Sequence, residues 1–144
     1  MSQIKIVFWS GTGNTAAMAE FIAQGAKDAG ADAVLIPVGE ADVNDLVGEK
    51  AFALGCPSMG AEQLEEMEME PFMEALEGSI SGKKVALFGS YGWGNQEWMR
   101  DWEDRISAAG AVVVGGEGIA VNGAPGDDAA DECKALGRTL ASMV

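Results

Sequence analysis

Within six consecutive positions, Ser10-Gly11-Thr12-Gly13-Asn14-Thr15, the chain places three hydroxyls, one amide side chain and two glycines. They follow the apolar run Ile4-Lys5-Ile6-Val7-Phe8-Trp9 and lead into a helix-patterned stretch from Ala16 to Ala29, so the order is strand, tight turn, helix start. A helix N-terminus presents unpaired N–H groups and the positive end of its dipole, which suits a phosphate. The loop holds no Lys or Arg. A triphosphate loop needs a wider glycine spacing and a lysine for the outer phosphates, so a single terminal phosphate is the better match. A capped helix would use one Ser, Thr or Asn, and this loop offers four. Hydrogen bonds to a charged group contribute about 1.5 to 3 kcal/mol each, so such a loop reaches on the order of 10 kcal/mol. Nanomolar binding needs about 12 kcal/mol. The rest of the ligand must therefore add buried aromatic or apolar area.

The elements that position this loop alternate along the chain. Candidate strands are 4–9, 33–38, 51–55, 84–89 and 111–114, with 119–121 as a continuation. Candidate helices are 14–29, a short one at 42–46, 65–76, 97–109 and 127–143. Such alternation predicts an α/β protein, a doubly wound five-stranded parallel sheet with helices on both faces, in a single domain over residues 1–144. Ligands of open parallel sheets sit beyond the carboxyl ends of the strands. Two further loops should converge there: Cys56-Pro57-Ser58-Met59-Gly60-Ala61-Glu62 after the third strand, and Ser90-Tyr91-Gly92-Trp93-Gly94-Asn95 after the fourth. Met59 brings a polarisable thioether. Trp93, flanked by glycines, reads as an exposed stacking platform, whereas Trp9, Trp98 and Trp102 read as packing residues.

Composition narrows the classes of function. A net charge of −14 argues against nucleic acid and anionic membranes, whose phosphates need Lys and Arg. Residues 51–82 hold seven Glu (62, 65, 66, 68, 70, 74 and 77) and no Lys or Arg, an acidic face expected to dock basic partners. Two cysteines, Cys56 and Cys133, and no histidine are too few for a disulfide framework, an iron-sulfur cluster or a zinc site. Both cysteines read as small buried hydrophobes, and no metal is expected. No signal-peptide pattern or membrane-length apolar run is present, so a soluble, cytoplasmic monomer is expected.

Over essentially the whole chain these residues resemble the flavodoxins, in particular the short-chain type of clostridia and rumen anaerobes. The resemblance rests on Trp9 to Thr15, Gly55 to Glu62, Glu70-Pro71-Phe72 and the run from Gly82 to Trp93. It implies the strand order 2-1-3-4-5 with FMN at the switch point, an order general principles illustrate with this very family. It also implies a low-potential one-electron carrier, not an enzyme, that uses non-covalent FMN between its semiquinone and hydroquinone states. By position, Ser10, Gly11, Thr12, Gly13, Asn14 and Thr15 would hold the phosphate. Met59 and Trp93 would lie on opposite faces of the flavin ring, and Glu62 would accept from flavin N3–H. The Gly60–Ala61 peptide would turn its carbonyl toward N5–H on reduction, and Gly60, lacking a Cβ, permits either orientation. Pro57, Ser58, Ser90, Tyr91, Gly92 and Gly94 complete the implied contacts. Ala61 stands where close relatives carry Asp or another polar residue.

Three other functions share part of this pattern. Gly11 to Ala16 fits the dinucleotide pattern G-x-G-x-x-A, yet 144 residues leave no substrate domain. A phosphoreceiver domain would end its third strand in Asp, where this chain has Gly55-Cys56-Pro57. A flavin-dependent NAD(P)H:quinone reductase is the remaining alternative, and it would need a nicotinamide and quinone pocket. Partners are expected to be redox proteins with basic docking patches.

Overall fold

The computed structural model describes residues 3–144. Strands β1 (Gln3–Phe8), β2 (Asp32–Pro37), β3 (Ala51–Gly55), β4 (Lys84–Tyr91), β5 (Val112–Val113) and β6 (Ile119–Asn122) alternate with helices α1 (Asn14–Asp28), α2 (Asn44–Val47), α3 (Met69–Leu76), α4 (Glu97–Ala108) and α5 (Asp127–Ala141). The strands pair in parallel in the order β2-β1-β3-β4-β5, as expected. A sixth strand departs from the five-stranded expectation. β5 pairs only with Lys84 and Val85 at the start of β4, and β6 takes over opposite Phe88 to Tyr91. Between them the backbone turns left-handed at Gly115 and Gly116, and the Gly118 N–H donates to the Glu103 carboxylate of α4 at 2.7 Å. The outer edge is thus filled by two short segments, with the excursion tied to a helix.

Alternation along the strands divides the core into two layers, because successive side chains point to opposite faces. Phe52, Leu54, Val85 and Leu87 face α3 and α4, where Phe72, Met73, Trp98 and Trp102 meet them. Ile4, Ile6, Ala51, Ala53, Ala86 and Phe88 face α1 and α5, packing on Met18, Ile22, Cys133 and Leu140. The small alanines of β3 and β4 let that second layer sit close. α1 and α5 themselves approach closely at two glycines: a Cβ on Gly25 would lie 1.9 Å from the Lys134 carbonyl, and one on Gly137 2.0 Å from that of Ile22. Burying a large apolar side chain such as Phe52 contributes about 1.5 to 3 kcal/mol, so these layers hold the sheet that aligns the loops.

One helix boundary differs from expectation in a way that matters for function. The helix expected from Glu65 starts at Met69. Glu65 is 5% exposed, and its carboxylate turns back to accept from the N–H groups of Met67, Glu68 and Met69. It satisfies the orphan donors at the start of α3, so it caps the helix and does not lie on an outward acidic face. Among the described residues no helix is long and apolar enough to cross a membrane.

Candidate functional site

The loop between β1 and α1 is held by Ser10. Its hydroxyl accepts from the Gly13 N–H at 3.1 Å and the Ala16 N–H at 3.2 Å. Both lone-pair positions are then engaged, which leaves the Ser10 proton free to donate outward. Gly13 supports this geometry with φ +96°, a left-handed conformation that costs glycine nothing. Asn14 and Thr15 open α1, where no preceding turn can accept from their N–H groups. Thr15 itself is 1% exposed, and its hydroxyl pairs with Ser90, accepting the Ser90 N–H at 3.3 Å and lying 3.4 Å from its Oγ. That pair ties the β1–α1 loop to the end of β4.

The second loop is closed on itself. Met59 and Gln63 exchange backbone hydrogen bonds of 2.8 and 2.9 Å, leaving Gly60 and Ala61 exposed at the tip and Glu62 half-buried beside them. Gly60 has φ +52° and Glu62 φ +53°. A left-handed non-glycine residue costs on the order of 1 to 3 kcal/mol, so the tip holds Glu62 in a conformation its own preferences oppose. Its carboxylate accepts the Glu97 N–H at 3.0 Å, at the positive end of α4, and lies where a Cβ on Gly94 would fall. The base of the loop is fixed from behind: the Trp98 indole N–H donates to the Cys56 carbonyl at 3.0 Å, and the Glu65 N–H donates to Cys56 Sγ at 3.3 Å. Cys56 and Cys133 are both fully buried, and burial pushes each thiol up to about 12.

A cleft of about 270 Å³ brings three expected loops together, lined by Gly11, Thr12, Asn14, Pro57, Ser58, Met59, Ser90, Tyr91 and Gly92. Trp9 and Gly123 also line it, and neither stood among the expected site residues. Gly123 belongs to a fourth loop, directly after β6, and its N–H donates to the Tyr91 carbonyl at 2.9 Å. The dipeptide Asn122-Gly123 after an apolar run was a readable turn signal. Ser10 and Gly13 line a second, neighbouring cavity of about 770 Å³ on the β2 side of Trp9. Gly60, Ala61, Glu62, Trp93 and Gly94 stand around the cleft's loops without lining it. Trp93 is 62% exposed, while Trp98 and Trp102 are buried and Trp9 is half-buried.

The run of seven Glu is more structured than a solvated face. Besides the caps made by Glu62 and Glu65, Glu68 accepts from the Trp9 indole N–H at 3.2 Å. Glu70 takes Arg105 of α4 in a two-pronged pair at 2.8 and 2.6 Å, and Glu77 accepts from Arg105 Nε. The Arg105 hydrogen bonds hold the Glu70 carboxyl below the usual carboxylate range. Glu66 and Glu74 remain exposed.

A doubly wound sheet that carries a cation-free, hydroxyl-rich loop with unpaired helix amides after β1, with a cleft at the reversal of strand order between β1 and β3, is the architecture of a mononucleotide-binding α/β protein. Comparison with known proteins takes this further. The Flavodoxin family matches residues 6–137. The chain is 49% identical to a flavodoxin of Clostridium beijerinckii over 140 residues, covering 97% of this chain and 100% of that one. It is 47% identical to a flavodoxin of Megasphaera elsdenii over 138 residues, covering 96% and 98%. The solution structure of two-electron reduced Megasphaera elsdenii flavodoxin superposes with a TM-score of 0.87 over 96% of this chain and 98% of that one, at 45% identity. The chain belongs to the flavodoxin family, and is an FMN-binding electron carrier, not an enzyme.

The residues present fit that cofactor. The unpaired amides at the head of α1 and the outward Ser10 proton suit a phosphate, and the adjoining cleft has a thioether and backbone edges suited to a flat ring. FMN, when bound, supplies the electron-accepting ring, and the chain supplies its seat.

Proposed function

We propose that this protein carries electrons with FMN seated across four loops. Ser10 to Thr15 hold the phosphate, Pro57 to Glu62 and Ser90 to Gly94 hold the ring, and Gly123 closes the ribityl side. Met59 and Trp93 cover the two faces of the ring, and Glu62, pinned by the Glu97 amide, accepts from the ring N3–H. The observation that carries the reading is the cleft at which Thr12 and Asn14 meet Met59, Ser90 to Gly92 and Gly123, four segments distant in sequence. The left-handed tip, where Gly60 is free to turn and Glu62 is strained, supports a role for that loop in adjusting to the redox state.

The partners we infer are redox proteins with basic docking patches, because a charge of −14 steers cations toward it and repels nucleic acid. A cytoplasmic monomer is the form that suits such a shuttle. The test is titration of the apoprotein with FMN, riboflavin and FAD, read by quenching of flavin fluorescence. FMN should bind about one to one and far more tightly than riboflavin, and FAD should bind weakly. Equal affinity for FMN and riboflavin would sink the phosphate-loop assignment.

A further inference from the structure

We propose that Glu68 is a positioning residue for the phosphate loop, acting through Trp9; the inference rests on the reading that residues 10–15 hold the FMN phosphate. The Trp9 ring lies against the loop: a Cβ on Gly11 would sit 3.0 and 3.2 Å from two of its carbons. At its other end the indole N–H donates to Glu68 Oε1 at 3.2 Å, across 59 residues of sequence. Glu68 directly precedes α3, where a side chain ordinarily caps its own helix, but it makes no such cap. Glu65 supplies the cap instead and binds the Glu68 N–H at 2.9 Å, which leaves the Glu68 carboxylate to reach across to β1.

The tether matters because the indole has somewhere else to go. Trp9 is the wall between the cleft and the 770 Å³ cavity, which is lined by Pro37 to Glu40, Glu68 and the back of the loop. Without Glu68, rotation into that space would uncover Gly11 and free the loop that must present its amides to the phosphate. Gly39 completes the device from the far side. A Cβ there would lie 2.2 Å from Glu68 Oε2, and the atom displaced would be the end of a flexible side chain, not backbone. Gly39 therefore leaves the seat that Glu68 occupies. The carboxylate is reached by solvent, so the tether is worth one ordinary hydrogen bond, about two- to tenfold in affinity.

The experiment compares FMN and riboflavin affinities of apoprotein variants, because a loop-positioning role acts only on the phosphate increment. Glu68→Ala should weaken FMN about three- to tenfold and leave riboflavin within twofold of the parent. Glu68→Gln keeps an oxygen for the indole and removes a charge near the phosphate, so its FMN affinity should equal or exceed the parent's. Gly39→Ala should reproduce Glu68→Ala, and the double variant should be no worse than either single one, since both break the same contact. Trp9→Phe, which keeps a ring but loses the N–H, should fall in the same range. The inference is overturned if Glu68→Ala keeps the FMN-to-riboflavin ratio, if it weakens both flavins equally, or if Glu68→Gln behaves like Glu68→Ala. A parent that binds the two flavins alike would instead remove the phosphate reading itself, and the inference with it.

Discussion

Replacing Arg105 with Ala should destabilise the protein by about 1.5 to 2 kcal/mol at neutral pH, and most of that loss should vanish in acid. Arg105 reaches from α4 to Glu70 and Glu77 beside α3, with both guanidinium prongs on Glu70. A single exposed ion pair contributes about 0 to 1 kcal/mol, and a two-pronged network lies at the upper end. Removing the arginine also leaves Glu70, Glu74 and Glu77 at spacings of four and three, where each like-charge contact costs about 0.2 to 0.5 kcal/mol. The pH dependence has a definite sign. Because Arg105 holds the Glu70 carboxyl below its ordinary value, the stability it brings is fully present above the unfolded carboxylate pKa of about 4.3 and is lost as pH falls through the lower folded value. In the variant that contribution is missing at pH 7 and cannot be lost in acid. Urea unfolding of both proteins at equal, saturating FMN, from pH 7 down to about pH 2.5, well below the ordinary carboxylate value, measures the difference while keeping the ligand contribution alike. A difference that stays constant across that range, and that about 0.5 M salt does not reduce, would show that the arginine's alkyl stem matters and its charge does not.

Gly60→Thr puts a β-branched residue at φ +52° on the flavin loop; a cost of about 1 to 2 kcal/mol should narrow the gap between the two one-electron potentials of bound FMN by on the order of 60 mV, read by redox titration, with little change in unfolding midpoint. Glu66→Gln with Glu74→Gln should slow electron transfer to a basic partner severalfold at low salt and make the rate less salt-dependent, since steering charges are screened over about 10 Å at 0.1 M; stopped-flow rates across ionic strength decide it, and an unchanged low-salt rate would place the docking surface elsewhere. Glu65→Gln should do the converse, lowering stability by about 1 to 2 kcal/mol through the lost helix cap while leaving the partner rate alone, which denaturation and the same kinetics would check.

The sheet was legible because its signals are local. Ala51 to Gly55 reads as a strand by its short apolar run between turn signals, and the glycines and hydroxyls from Ser10 to Thr15 announce the start of α1. What could not be read depends on residues far apart in sequence. Arg105 meets Glu70 across 35 residues and two helices, so the seven Glu looked unopposed. Glu65 fits a helical pattern, and only its folded-back side chain ends the helix at Met69, a local competition between cap and helix interior that spacing does not resolve. Trp9 closes an apolar strand and so reads as packing, yet its ring lies against the β1–α1 loop at Gly11. The split of the last sheet position had a signal in Gly115-Gly116, two left-handed residues that interrupt an otherwise apolar run.

The placement of these carboxylates changes how charge near the flavin should be understood. Five of the seven Glu between residues 51 and 82 carry a structural hydrogen bond: Glu62 to α4, Glu65 to α3, Glu68 to Trp9, and Glu70 and Glu77 to Arg105. Neutralising any of them alters position as well as charge. A single solvent-exposed charge about 10 Å from the ring shifts its energy by about 0.4 kcal/mol, or roughly 20 mV, before screening. That Coulomb magnitude applies cleanly only to Glu66 and Glu74, which are exposed. A larger shift on substituting Glu62 or Glu68 would report movement of the flavin loop or the phosphate loop, because the charge alone is too weak to cause it. The bonded members of the acidic segment thus fix the second loop, the start of α3, Trp9 and the α3–α4 contact, while Glu66 and Glu74 carry charge that makes no such tie.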